Sequence, residues 1–309
     1  MKIVYMGTPD FAVGALKALC EAGQEIVCVV TQPDKPKGRS GKLVFSPVKE
    51  YALSQNIPVF QPEKIRTKDS VDYLKNIEAD LYVVAAFGQI LSQEVLDIPK
   101  FGCVNIHASL LPKYRGAAPI QQALLDGNKT TGVTLMQMNA GMDTGDILMQ
   151  ESLDITDEDT AGTLFDKLME LGAHMIVRAI PLIEEGKLSP VPQDNDKATK
   201  VGKFSKEMGL IDWTRDAAYI DRLIRTMDPW PSAYTHFNDK TLKIWKAKPV
   251  DANLSAKAGE ILDITKNTFK VATGQGCLEV FEVQLEGKKR MSAGDFMRGN
   301  HLEAGQKFV

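Results

Sequence analysis

Val104-Asn-Ile-His-Ala-Ser-Leu-Leu-Pro-Lys-Tyr-Arg-Gly116 reads as the end of a strand, an apolar loop closed by Pro112, and an Arg-Gly turn leading into a helical run over 117–125. Side chains two apart on a strand point to the same face, so Asn105 and His107 share one pocket. Acyl transfer needs those two groups: a donor for the developing oxyanion, and a base that takes a proton from the nucleophile. A lone histidine in such a connection is more often a core residue, and the reading therefore rests on what surrounds it.

Upstream, 2–6, 25–31, 57–60 and 81–86 are short apolar runs, separated by helical stretches after Gly7, at 47–56 and at 70–76. This alternation predicts right-handed βαβ crossovers and an α/β fold: a Rossmann-like, mostly parallel sheet with helices on both faces. Ligands of such sheets sit outside the carboxyl ends of the strands, where Gly7, Phe87 and His107 all fall. Only one glycine of G-x-G-x-x-G is present after the first strand, so a tight turn is expected there and no dinucleotide. A long helix is predicted over 160–185, with Leu164, Leu168, Leu171 and Met175 at helical spacing and Thr160 as its cap. Ser189-Pro-Val-Pro-Gln-Asp-Asn-Asp-Lys197 has no periodicity and reads as a linker. The expected organisation is a catalytic domain 1–188, a linker 189–205 and a C-terminal domain 206–309. In that last part, 234–237, 241–247, 259–265, 268–273 and 277–285 are short strands between turn residues, which suggests a small OB-like β-barrel.

The composition, 44% hydrophobic and 25% charged over 309 residues, is that of an ordinary globular chain. Cysteines 20, 28, 103 and 277 include no C-x-x-C pair, so a reduced, cytoplasmic protein without a metal is expected. No run reads as a signal peptide or a membrane span. No dimerisation signal stands out, and a monomer is expected. The net charge of −3 weighs against a nucleic-acid partner, but local patches matter more than totals. Lys35-Pro-Lys-Gly-Arg-Ser-Gly-Lys42 packs four cations into an exposed loop at the carboxyl end of the second strand, on the rim where His107 is expected. Lys35, Lys37, Arg39 and Lys42 are therefore candidate phosphate contacts, with the planar fork of Arg39 suited to reach bases. Lys243, Lys246 and Lys248 around Trp245 form a second basic cluster, and Lys288-Lys-Arg290 a third.

The 104–116 stretch resembles the signature of the formyltetrahydrofolate-dependent formyltransferases, Asn-x-His followed by Ser-Leu-Leu-Pro and Arg-Gly. Gly141-Met-Asp-Thr-Gly-Asp146 is similar to the family's second motif, with Asp143 as its carboxylate. Met6-Gly-Thr-Pro-Asp-Phe-Ala12, Thr31-Gln-Pro-Asp-Lys-Pro-Lys-Gly-Arg-Ser40 and Asp228-Pro-Trp-Pro-Ser-Ala-Tyr234 look like those members that act on initiator methionyl-tRNA. The likeness thus runs over nearly the whole chain. It implies 10-formyltetrahydrofolate as formyl donor and the acceptor arm of initiator methionyl-tRNA as partner. Asn105, His107 and Asp143 become the catalytic candidates. Ser109, Leu110, Leu111 and Pro112, with Phe87, Gln89 and Leu91, would line the folate pocket.

Formyl transfer to an amine requires a deprotonated amine, a stabilised oxyanion and a protonated leaving nitrogen. Asn105 suits the oxyanion, and His107 the proton transfers. A protonated His107 would instead stabilise the oxyanion, and the sequence leaves both roles open. Asp143 would orient or polarise His107, or hold a water that shuttles protons; by itself it reads as a turn aspartate. Arg115 either binds an anion or braces its loop. With no cysteine nucleophile or metal-ligand spacing in the motif, direct transfer is expected. Two rival readings differ in their partners. A formyltransferase for a small amine, such as a nucleotide sugar or glycinamide ribonucleotide, needs neither the basic loop nor the C-terminal barrel. An RNA-binding module with a degenerate catalytic domain would not keep Asn105, His107 and Asp143 together.

Overall fold

After Lys2, the first strand carries five buried residues in a row, the pattern of a strand covered on both faces of its sheet. The structure is a computed structural model that describes residues 1–37, 42–252 and 256–308. In chain order the elements are β1 (Lys2–Gly7), α1 (Asp10–Glu21), β2 (Glu25–Val30), β3 (Lys35–Lys37), β4 (Lys42–Val44), α2 (Pro47–Ser54), β5 (Val59–Phe60), α3 (Lys68–Lys75) and β6 (Leu81–Ala85). Next come α4 (Gln93–Leu96), β7 (Cys103–His107), β8 (Arg115–Gly116), α5 (Pro119–Leu125), β9 (Thr130–Gln137), β10 (Ile147–Asp154), α6 (Ala161–Glu184) and β11 (Lys200–Val201). The chain forms two compact units, the first made of Met1–Pro119, Thr130–Asp154 and Phe165–Val201.

The sheet of this first unit has the order β10-β9-β7-β6-β1-β2-β5. From β7 to β5 all neighbours are parallel, as the alternation of strands and helices predicts. At the other edge β9 lies antiparallel to β7, and β10 antiparallel to β9. No strand is expected from the sequence between 117 and 160. Thr-Thr-Gly-Val-Thr-Leu-Met-Gln is buried through most of its length although glycine and threonines interrupt its apolar run. β10 alternates partly buried with exposed residues, as an edge strand does.

Helix α1 turns Phe11, Ala12, Ala15, Leu16 and Leu19 inward. Helix α6 begins where expected: the Thr163 amide donates to the Thr160 hydroxyl at 3.2 Å. A Cβ on Gly172 of α6 would stand 2.8 Å from Ile106 Cγ2, so the helix rests on β7 with no room for a side chain.

The second unit comprises Ile120–Lys129, Ile155–Leu164 and Gly202–Val309. It adds α7 (Ala217–Met227), β12 (Ala233–Phe237), β13 (Lys240–Val250), β14 (Ile261–Ile264), β15 (Phe269–Ala272), β16 (Cys277–Leu285), β17 (Met291–Ser292) and α8 (Ala293–Gly299). Its sheet is antiparallel, in the order β12-β13-β16-β15-β14, with β17 on β16. The ring of Phe269 packs 6.4 Å from Phe296 and 5.9 Å from Phe308. Trp213 is buried with its indole N–H satisfied by Thr235 Oγ1 at 3.1 Å. Helix α7 is capped by Asp216, which accepts the Tyr219 amide at 2.8 Å. Its arginines bind the outlying segments: Arg222 donates to Leu125 O at 3.1 Å and Arg225 to Asp159 O at 3.0 Å. The Asp228–Tyr234 motif joins α7 to β12, with Asp228 Oδ2 3.7 Å from Arg290 Nη1. Among the described residues no helix is long and apolar enough to cross a membrane.

The contact between α6 and β7 yields a stability test. Gly172→Val should destabilise the fold by about 1–3 kcal/mol through overpacking against Ile106, read as a lowered midpoint of urea unfolding.

Candidate active site

β7 ends in His107, and its antiparallel neighbour β9 sets Met136 opposite Asn105 and Thr134 opposite His107. The 138–146 connection from β9 to β10 carries Asp143 to the histidine, with Oδ2 3.8 Å from Nδ1. Asp143 adopts a left-handed backbone, φ +52. The three candidates are therefore brought together: two on one strand, the third from a loop between strands that the sequence reading leaves unnamed.

His107 is 6% exposed, and its Nε2 lies 3.1 Å from Tyr114 O. A carbonyl only accepts, so the hydrogen sits on Nε2 and the neutral ring keeps its lone pair on Nδ1, toward Asp143. At 3.8 Å this is no hydrogen bond. The carboxylate is fixed elsewhere, with Oδ2 accepting the Gly116 amide at 2.7 Å. Burial pushes the pKa of His107 below the ordinary histidine value, while the Asp143 charge and the Tyr114 carbonyl pull it back up. Burial wins, so the ring is neutral at pH 7. Asn105 is half-buried, and among the described residues its amide has no hydrogen-bond partner.

The residues expected around the folate divide by exposure. Phe87, Leu91 and Leu111 are buried in the core, and Ser109 spends its hydroxyl on Lys113 O at 2.7 Å. Gln89 accepts the Ile65 amide at 2.7 Å and donates to Pro62 O at 3.0 Å, so it ties two loops together. Leu110 and Pro112 are half-buried, and Ile90, between Gln89 and Leu91, is 71% exposed. The 109–112 loop is held by Thr134 and Gln150, neither singled out in the sequence: Leu111 N donates to Thr134 Oγ1 at 3.1 Å, and Gln150 Nε2 to Leu111 O at 2.7 Å.

Arg115 braces its loop. It is buried, and its guanidinium donates to Gln193 Oε1 at 3.0 and 2.7 Å and to Asn195 Oδ1 at 2.9 Å. Gln193 also donates to Asp143 O at 2.9 Å and to Gly145 O at 2.7 Å. It lies in the Pro-containing run read as a linker, where no local pattern marks it.

The basic loop is bounded by a short hairpin, with Lys35 opposite Val44 and Lys37 opposite Lys42. Lys35 is exposed. Arg39 lies outside the described residues, as do the side chains of Lys37 and Lys42. In the second unit, Lys243 Nζ stands 5.7 Å from the Trp245 ring and Arg290 Cζ 5.0 Å from it. Trp245, Lys246 and Lys248 line a cavity of about 610 Å³ together with Arg222 and Arg225. Lys248 is paired with Glu158 at 2.9 Å, and Lys246 is exposed. Among the described residues no group of three or more His, Cys, Asp or Glu is placed to hold a metal.

The sequence profile described as Formyl transferase matches residues 1–180, and that of Formyl transferase, C-terminal domain, matches 203–301. The chain belongs to the formyl transferase family. Among relatives in this family, the methionyl-tRNA formyltransferase of Agathobacter rectalis is 52% identical over 309 residues, covering 100% of both chains. That of Bacillus subtilis is 47% identical over 305 residues, 98% of this chain and 96% of the relative. Among solved structures, the sugar 3N-formyl transferase WlaRD superposes with a TM-score of 0.67 at 22% identity, over 94% of this chain and 99% of its own. The methionyl-tRNA formyltransferase from Clostridium thermocellum gives 0.55 at 20% identity, over 80% of this chain and 93% of its own. At such identities these formyl transferases share a fold with the chain, and the likeness goes no further.

The electrostatics of this formyl transferase site predict a titration. The His107 ring, assigned by its loss in His107→Gln, should titrate by NMR below the ordinary value of about 6.5. Asp143→Asn should lower it further, because the charge that opposes burial is gone. A ring titrating above the ordinary value would contradict the burial argument.

Proposed function

We infer that this chain transfers the formyl group of 10-formyltetrahydrofolate to the α-amino group of methionine on initiator methionyl-tRNA, giving N-formylmethionyl-tRNA for translation initiation. Identity of 52% over the full length of a methionyl-tRNA formyltransferase supports the substrate. One observation carries the chemistry: a buried, neutral His107 with its lone pair on Nδ1, beside an uncommitted Asn105 amide.

The amine nitrogen attacks the formyl carbon as His107 Nδ1 takes its proton. The carbonyl π electrons move to oxygen, where the Asn105 amide donates to the oxyanion. The resulting imidazolium faces the Asp143 carboxylate, which stabilises it. When the oxyanion collapses, the bond to the folate nitrogen breaks and that nitrogen receives the proton from His107. Direct attack is favoured over an acyl-enzyme, since the 104–116 motif holds no cysteine, and burial pushes the thiol of Cys103, at the opposite end of β7 from His107, up to about 12 and keeps it protonated. For the folate, exposed Ile90 and half-buried Leu110 and Pro112 supply an apolar wall. Ser109, Leu111, Phe87, Gln89 and Leu91 hold its loops in place.

On the nucleic-acid side, the 206–309 domain is read as an OB-like surface for the tRNA. Lys243, Lys246 and Lys248 track phosphates, and Lys35, Lys37, Arg39 and Lys42 grip the acceptor arm. The enzyme works as a cytoplasmic monomer in this reading.

The test is formyl transfer from 10-formyltetrahydrofolate to initiator methionyl-tRNA. Asn105→Ala should lower kcat about 100- to 1,000-fold, the cost of one oxyanion donor. Replacing Lys246 and Lys248 together by Ala should instead raise KM for the tRNA and flatten its salt dependence by roughly two phosphate contacts. A wild-type protein that ignores the tRNA and formylates a nucleotide-linked amino sugar would overturn the assignment.

A further inference from the structure

Two backbone groups of one turn hold the candidate base and its carboxylate. Tyr114 O accepts from His107 Nε2, and Gly116 N donates to Asp143 Oδ2. That turn is held in its place by the segment that follows α6. Thr199 Oγ1 accepts the Tyr114 amide at 2.8 Å and Thr199 O the Arg115 amide at 2.9 Å. β11 then pairs in parallel with β8, and Val201 O accepts the Ala117 amide at 3.1 Å. Gly116 leaves no space there, since a Cβ at its φ of +121 would stand 2.1 Å from Val201 O. The same segment reaches the other side of the site through Gln193, which donates to Asp143 O and Gly145 O. Tyr114 and Asp143 both sit at positive φ, +62 and +52. Such backbones persist only when their surroundings over-determine them.

We propose that residues 193–201 form a strap that positions the His107–Asp143 pair, with Gln193 and Thr199 as its positioning residues. This rests on the reading of His107 as the base. Gln193 is suited to the task because its amide serves both partners at once: the carbonyl accepts from Arg115, and the NH₂ fixes two carbonyls of the Asp143 loop. Asp143 is the charged group that acts on the ring. Arg115, on the same turn, is occupied by Gln193 and Asn195. The strap runs directly into the second unit at Gly202.

The test uses the full-length enzyme in the formyl-transfer assay, with kcat and KM for both substrates, the pH profile of kcat/KM and thermal unfolding measured for each variant. Gln193→Met keeps volume and loses every hydrogen bond. Gln193→Glu keeps the acceptor for Arg115 and loses the donors to the Asp143 loop. Both should lower kcat by about 10- to 100-fold, as expected for a small misplacement of catalytic groups, with KM unchanged. The acid limb of the profile should move to lower pH, because Asp143 no longer supports the protonated ring. Thr199→Val should act in the same direction, and Thr199→Ser should restore activity. Wild-type activity in Gln193→Glu would overturn the proposal, since the amide would then serve Arg115 alone. So would a fall in melting temperature with the acid limb unmoved, which marks a merely structural role. His107→Gln separates the two readings: if that variant still formylates the tRNA, the assignment of the base fails. If it is inactive while the Gln193 variants keep the wild-type limb, only the strap fails.

Discussion

An imidazole can take a proton only if it starts neutral, and His107 is kept neutral by the loss of its water. Burial disfavours the charged ring before any partner is considered, and it sets the direction of the pKa shift here. Asp143 works against that direction, and in the proposed mechanism its benefit appears only once the proton has arrived. At an effective dielectric of about 20, unit charges about 4 Å apart attract by about 4 kcal/mol. The resting pair gains none of this, because the ring carries no charge. An interaction that grows as the reaction proceeds lowers the barrier, whereas one already made in the resting state would not. The 3.8 Å separation, too long for a hydrogen bond, is consistent with a carboxylate placed for the imidazolium and not for the neutral ring.

That arrangement has to be held against its own backbone. Non-glycine residues in the left-handed region cost of order 1–3 kcal/mol each when their surroundings do not relieve them. Tyr114 and Asp143 are two such residues, and each presents a group to the other half of the site. Parallel strands alone would not supply the third member. β9 and β10, antiparallel at the edge of the sheet, provide the loop that returns Asp143 to a ring on β7. Behind β7, Gly172 lets α6 sit directly on Ile106, the residue between Asn105 and His107. The strand that carries both candidates is therefore confined between its neighbours in the sheet and the helix packed on it.

What could be read from the sequence follows from the range of each interaction. The parallel strands were legible because buried strands are short apolar runs separated by helices. Asn105 and His107 were legible because strand alternation is a local rule. Asp143 needed the family resemblance, since nothing local separates it from any turn aspartate. β9 was hidden by its threonines and glycine, and β10 by the mixed pattern of an edge strand. Gln193 was hidden for a different reason. Its partners, Arg115, Asp143 and Gly145, lie 48 to 78 residues away, and no periodicity encodes a contact of that kind. Around the expected folate pocket the motif names Phe87, Leu91 and Leu111, which are buried, and passes over Ile90, which is exposed, because a motif does not encode which of its side chains face solvent.

Substrate choice cannot reside in the His107 group alone. A sugar 3N-formyl transferase shares the fold over 94% of this chain, and any amine acceptor needs the same deprotonation and the same oxyanion donor. Discrimination has to come from surfaces that a small amine would never touch. With a net charge of −3, this protein has no general attraction for RNA, so the cations must act as local patches. Phosphate contacts fix register and orientation while carrying little sequence information. In the proposed mode of binding, the basic hairpin and the Trp245 cluster align the tRNA, and selection of the initiator falls to a separate step. On this reasoning the chemistry is compact and local, while recognition is spread over elements that the catalytic motif does not contain.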